Sequence, residues 1–177
     1  MKNSSITIRP IRPGDYEFVL KTNEDNVEVL SPMDQEKLEY FQQNAELFLV
    51  AEVDSEPAAF LIALREGVDT YLSENYRWFS KNYDEFLYVD RIVIHENYRK
   101  MGLGRKLYHS VFSYAQSTGV STVTAEIDTI PYNETSLKFH KSMGFTEVGM
   151  QVVRDGSVEV SLQEARLDNW NGELKRA

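Results

Sequence analysis

Hydrophobic residues change their spacing repeatedly along the chain, and each change predicts an element. Ile6, Ile8 and Ile11 lie in an extended opening punctuated by Pro10 and Pro13, and Gly14-Asp15 then leads into the helical spacing of Tyr16, Val19 and Leu20. Ser31-Pro32 reads as an N-cap with proline at the first helical position, and Leu38, Phe41 and Ala45 continue a second helix. Leu47 to Val53 and Pro57 to Leu64 are apolar runs separated by Asp54-Ser55-Glu56, the pattern of an antiparallel hairpin. Arg65 to Glu85 is polar but carries Tyr71, Tyr76, Trp78, Phe79 and Tyr83, and it reads equally as a lid or as a helix packing its rings on the core.

Phe86 to Ile94 is the strongest strand signal, nearly continuous in apolar residues as a strand covered on both faces would be, and interrupted by Asp90. Leu103, Leu107, Val111, Tyr114 and Ala115 then recur at helical spacing up to Gly119, a residue suited to the position just past a helix end. Val120 to Ile127 alternates as a strand, and Asn133 to Met143 forms a short helix closed by Gly144. Phe145 to Val153 and Ser157 to Leu162 flank the turn at Asp155-Gly156. With no repeat or linker, the order describes one α+β domain over 1–177, with its core at about 6–167 and a peripheral tail after Leu167.

Composition narrows the function. The chain has 177 residues, with 42% hydrophobic and 27% charged, which suits one folded domain rather than a disordered chain. Its 19 Lys+Arg against 28 Asp+Glu give a net charge of −9, which argues against nucleic acid as a partner and favours a cationic one. Without cysteine there is no disulfide, thiolate nucleophile or cysteine metal site. The opening residues lack a long apolar stretch and no apolar run approaches the length of a membrane span, so a cytoplasmic protein with no membrane partner is expected. His95-Glu96-Asn97-Tyr98-Arg99 begins like a zinc helix but has Arg99 where the second histidine belongs, and no metal site is expected.

Arg99-Lys100-Met101-Gly102-Leu103-Gly104-Arg105-Lys106 lies between the central strand and its helix, where unpaired backbone N–H groups and the helix dipole attract an anion. Glycines at 102 and 104 let phosphate oxygens approach, while the Walker ending and the third glycine of the dinucleotide fingerprint are both absent. Ile92-x-Ile94 followed by Arg99-x-x-Gly102-x-Gly104 resembles the acetyl-CoA signature of the GCN5-related N-acetyltransferase superfamily. Asn133-x-x-Ser136-Leu137-x-Phe139-His140-Lys141-x-Met143-Gly144-Phe145 resembles its second signature. The resemblance covers about Ile6 to Leu162.

It implies the acyl-CoA N-acyltransferase fold, a mixed, mostly antiparallel sheet splayed at its middle with helices on both faces. It also implies direct transfer of acetyl from acetyl-CoA to a primary amine, without a covalent enzyme intermediate. Ile92, Val93 and Ile94 would line the pantothenate arm, Arg99, Lys100, Met101, Gly102, Leu103, Gly104 and Arg105 would meet the phosphates, and Asn133 and Ser136 would assist from the second signature. The family's usual tyrosine acid has His140 in its place here, and Asp90 stands where family members often carry a basic carboxylate. Burial without a partner would disfavour the charged form of Asp90 and suit it to act as a base. A non-catalytic acyl-CoA-binding module would keep the glycine loop without needing Asp90 and His140. The terminal hairpin offers an exposed surface for a homodimer, and the acceptor amine is left open.

Overall fold

A computed structural model describes residues 4–168 and 170–172. Seven strands run in the order β1-β2-β3-β4-β5-β7-β6, namely β1 Ile6–Pro10, β2 Leu47–Val53, β3 Glu56–Arg65, β4 Leu87–Ile94, β5 Thr122–Ile130, β6 Thr146–Val153 and β7 Val158–Arg166. Five α-helices accompany them: α1 Tyr16–Glu24, α2 Gln35–Asn44, α3 Glu74–Asn82, α4 Leu103–Ser117 and α5 Glu134–Ser142. The mixed sheet expected from the sequence is present. β1 with β2, β2 with β3, β5 with β7 and β6 with β7 are antiparallel, whereas β4 and β5 are parallel.

The chain divides into two compact units, each assembled from separated stretches: 1–64 with 91–110, and 65–90 with 111–177. The first is built on the meander β1 to β3, whose Val50, Phe60 and Ile62 are buried with Val19 of α1 and Leu38 and Phe41 of α2. Its buried guanidinium is engaged, although Thr22 Oγ1 is buried without a hydrogen bond among the described residues. Arg91 is 4% exposed, donates to Asn23 Oδ1 at 2.7 Å and to Ser31 Oγ at 2.9 Å, and lies over the Phe41 ring. This corrects the reading of Ser31 as a helix cap. Asp34 caps α2 by accepting from Lys37 N, because the Ser31 hydroxyl serves a guanidinium sixty positions away in sequence.

The second unit centres on β5, β6 and β7 with α3, α5 and the first half of β4. Ser73 caps α3, and the buried rings of Tyr76 and Phe79 meet Phe86 and Tyr88 at centroid separations of 5.5 to 6.2 Å. Burying two such rings is worth roughly 2–3 kcal/mol each, ample to fix a nine-residue helix of modest intrinsic stability. Tyr76 also donates to Arg65 O at 2.6 Å and accepts from Val68 N at 2.9 Å. Arg65 to Glu85 therefore holds a helix, α3, packed by its aromatic rings, rather than reading as a lid. Trp170 is half-buried, resting edge-on against Phe112 of α4, so the tail is not wholly peripheral.

The β4–β5 pairing positions the site. It covers only Leu87–Val89 opposite Val123–Ala125, while β5 continues to Ile130 along β7. Side chains alternate along a strand, so Tyr88 and Asp90 project from one face of β4, and Thr124, Glu126 and Asp128 from one face of β5. One step past the last paired residues, Asp90 and Glu126 are the next in register.

Candidate active site

In the first unit, Ile92 and Ile94 are partly exposed on one face of β4, while Arg91 and Val93 are buried on the other. Of the three residues expected to line an acyl-CoA arm, Ile92 and Ile94 thus present side chains, and Val93 offers only backbone. The chain then turns through Glu96–Tyr98 and enters α4 at Leu103. Lys100 and Gly102 both adopt left-handed backbone, with φ of 68° and 78°. At Gly102 only glycine takes this conformation without strain, and a Cβ there would meet nothing within 4 Å, so the demand is conformational rather than steric. Lys106 N bonds back to Gly102 O, so the amides of Leu103 and Gly104 lie in the first turn of a 15-residue helix, ahead of its first backbone bond. Arg99, Lys100 and Met101 are exposed around it. The expected phosphate residues therefore form one helix entrance.

The second unit holds a polar group that the sequence disclosed only in part. Asp90 is half-buried and partnered, since the Tyr71 hydroxyl donates to its Oδ1. Beside it are Tyr88, which is fully buried, and Glu126. Tyr88 Oη and Glu126 Oε2 are shielded from solvent and make no hydrogen bond among the described residues. Burial pushes the Glu126 carboxyl up to about 8, the charge of Asp90 adds to the rise, and Tyr88 and Asn75 pull the other way. Burial also raises the Tyr88 phenol well above its ordinary value, with the Glu126 and Asp90 charges acting in the same sense. Asn75, from the first turn of α3, accepts from Gln151 of β6 at 3.1 Å. Helix α3 is seated close to the sheet here, for a Cβ on Gly149 would fall 2.9 Å from the Trp78 ring.

Glu126, Tyr88, Tyr71 and Asn75 were missed by sequence reasoning. A signal existed in Thr122 to Ile130, where Thr124, Glu126 and Asp128 alternate with Val123, Ala125 and Ile127 in a strand buried over most of its length. A buried strand with one polar face is unusual enough to mark a site.

On α5, Asn133 is the N-cap, and its Oδ1 accepts from Ser136 N at 3.1 Å. His140 is 4% exposed and packed edge-on against Phe139 and Phe145. Its Nδ1 lies 2.9 Å from Ser136 O, an acceptor that assigns the proton to Nδ1, and 3.2 Å from Ser136 Oγ. Burial lowers the imidazole to about 4, with the bond to the Ser136 carbonyl acting the other way. At neutral pH it is uncharged. Asp90 thus joins a carboxylate group, whereas His140 and Ser136 form a packed pair on α5. Among the described residues no cluster of side chains could hold a metal ion, and no helix is long and apolar enough to cross a membrane.

Residues 16–145 match the sequence model of the Acetyltransferase (GNAT) family. No curated protein matches the chain in sequence. Among solved structures, the ribosomal-protein-S18-alanine N-acetyltransferase of Escherichia coli superposes with a TM-score of 0.69 at 16% identity, covering 97% of this chain and 100% of its own. NAA60 of Arabidopsis thaliana, solved in complex with acetyl-CoA, gives 0.71 at 21% identity, covering 92% and 99%. A putative phosphinothricin N-acetyltransferase gives 0.69 at 24% identity, covering 93% and 100%. These likenesses extend the shared fold over nearly the whole chain, and the sequence match runs unbroken from the start of α1 to the residue before β6. The chain belongs to the Acetyltransferase (GNAT) family.

Proposed function

We propose that this chain, acting as one catalytic domain, transfers the acetyl group of acetyl-CoA to a primary amine, with Glu126 as the base. The observation that supports this most is the carboxyl of Glu126, shielded from water beside Asp90 and Tyr88 and poised near 8. A base that titrates close to working pH takes up a proton readily yet keeps an ionised fraction, the condition general base catalysis favours. An ammonium arriving beside Glu126 and Asp90 meets two carboxyl groups, and losing a proton to ionised Glu126 frees its lone pair. That lone pair attacks the thioester carbonyl carbon, the C–S bond breaks and CoA leaves as thiolate, while the nitrogen releases its second proton to the thiolate or to solvent as the amide forms.

Acetyl-CoA fits the first unit's residues, with the α4 amides and the Arg99 and Lys100 charges for the diphosphate and Ile92 and Ile94 for the arm. His140 has a different part in this reading. Protonating the thiolate demands an imidazolium, and with a value near 4 only about one molecule in a thousand carries one at pH 7. A CoA thiolate, with a thiol pKa near 8.5, leaves tolerably without it. His140 then serves by packing α5.

Calorimetric titration with acetyl-CoA, CoA and ATP, run on the protein and on Gly102→Trp, tests the first half. Micromolar acetyl-CoA binding that the variant loses, followed by acetylation of at least one amine in a panel, is expected. Binding with no turnover on any amine would select the acyl-CoA-binding module, and no binding of either CoA species would remove the reading.

A further inference from the structure

The orphaned polar atoms of the second unit continue past the base. On the same face of β5, Asp128 is 8% exposed and its Oδ2 is buried without a hydrogen bond, and Thr124 Oγ1 is likewise buried and unbonded. A solvent-shielded polar atom left unmatched costs about 1–3 kcal/mol, more for a charged group, and native proteins keep few of them without cause. Here four (Tyr88 Oη, Thr124 Oγ1, Glu126 Oε2 and Asp128 Oδ2) lie on one face of two paired strands. The cation near Asp128 is Arg154, in the β6–β7 turn. It opposes the rise that burial gives the Asp128 carboxyl but makes no ion pair with it. The row thus carries carboxyl groups from Glu126 and Asp128 with unfilled acceptor capacity.

Two ammonium groups joined by a short chain would fill it. Residues i and i+2 of a strand lie about 6.6 Å apart, and an extended four-carbon chain sets its terminal nitrogens about 6 Å apart. We propose that the acceptor is an aliphatic diamine or polyamine, whose reacting nitrogen sits at Glu126 while a second ammonium is held by Asp128. This rests on Glu126 being the base. A monoamine would leave Asp128 Oδ2 unmatched, and a neutral substituent in its place would bury a polar acceptor against an apolar group, so selectivity against both follows.

The test compares kcat/KM for 1,4-diaminobutane, butylamine and a short neutral peptide with a free α-amino group, using the full chain and Asp128→Asn. The diamine is expected to exceed butylamine by about tenfold or more, with the ratio falling close to one in Asp128→Asn. The ratio is read within each protein, so a poorly folded preparation lowers both rates and leaves it alone. Equal rates for diamine and butylamine, a ratio unchanged in the variant, or a preference for the peptide would each overturn the dication site and leave the base standing. If none of the three is acetylated, calorimetry with the diamine decides. Binding weakened in Asp128→Asn would keep the dication site and count against the base, and no binding would end both.

Discussion

Each of the two units buries charged and polar side chains, and they do so in opposite ways. In the first, Arg9 is clasped by Asp15 through paired bonds of 2.7 and 2.8 Å and by Glu52 at 2.7 Å, and Asp15 also accepts from Arg12 N. The Arg9 guanidinium holds the Asp15 carboxyl below its ordinary value despite burial. Arg91 likewise finds Asn23 and Ser31. In the second unit, Glu126 Oε2, Tyr88 Oη, Thr124 Oγ1 and Asp128 Oδ2 are buried without a hydrogen bond, four on one face against the lone Thr22 Oγ1 of the first unit among the described residues. A satisfied network stabilises and specifies a fold, while an unsatisfied one destabilises it and persists where a ligand completes it. It is the clustering of such atoms on one face, rather than a single one such as Thr22 Oγ1, that distinguishes site from scaffold here.

The sharpest way to break the comparison is Glu126→Gln, which keeps shape and removes the base. Activity should fall by about 10²- to 10⁴-fold, measured as kcat/KM with saturating acetyl-CoA. The alkaline rise of the pH profile, centred near 8 in the parent, should vanish with it. Stability should move the opposite way. A carboxyl whose folded value is raised binds more protons folded than unfolded between about 4.5 and 8, so the parent loses stability as pH rises through that window. The variant should escape that loss and be the more stable protein in denaturant at pH 8.5. If it is instead the weaker one, Glu126 belongs with the scaffold.

Asp15→Ala makes the converse test in the first unit. It leaves Arg9 with half its partners in a setting where Asp15 is 3% exposed, and the expected loss is about 3 kcal/mol by chemical denaturation. The folded carboxyl is depressed, so its contribution is present above the unfolded value near 3.8 and is lost as pH falls below it. The difference between parent and variant should therefore shrink toward pH 3. Acetyl-CoA affinity of the folded variant should change little.

What the sequence disclosed follows the same division. The glycine loop and the Asn133 helix were legible because contiguous residues carry them, and Gly102 and the Asn133 cap mean the same thing in sequence and in space. The strands and the hairpins β2–β3 and β6–β7 were legible from alternation and turn chemistry. The carboxylate site was not, because its members come from a loop (Tyr71), a helix (Asn75) and three strands (Tyr88 and Asp90, Glu126 and Asp128, Gln151). Only register and the packing of α3 assemble them. Ser31 was misread for a related reason: a serine before proline looks like a cap until a distant arginine claims its hydroxyl.

His140 offers the smallest effect and the finest discrimination, since it is buried like the site residues yet bonded like the scaffold. Its folded value near 4 lies below the ordinary 6.5, so the folded protein binds fewer protons than the unfolded chain between those values. Stability should therefore fall as pH drops from about 6.5 to 4 and be flat above. His140→Phe, which keeps the ring contacts with Phe139 and Phe145 but gives up the bond to Ser136 O, should remove this acid-side slope at a cost of about 1 kcal/mol at pH 7. Its kcat should stay within a few-fold of the parent, because an imidazole so rarely charged has little proton to give. A loss of a hundredfold in kcat with the slope unchanged would move His140 from the scaffold to the chemistry, and the pairing of bonded atoms with structural roles would fail at the residue where it is most exposed to test.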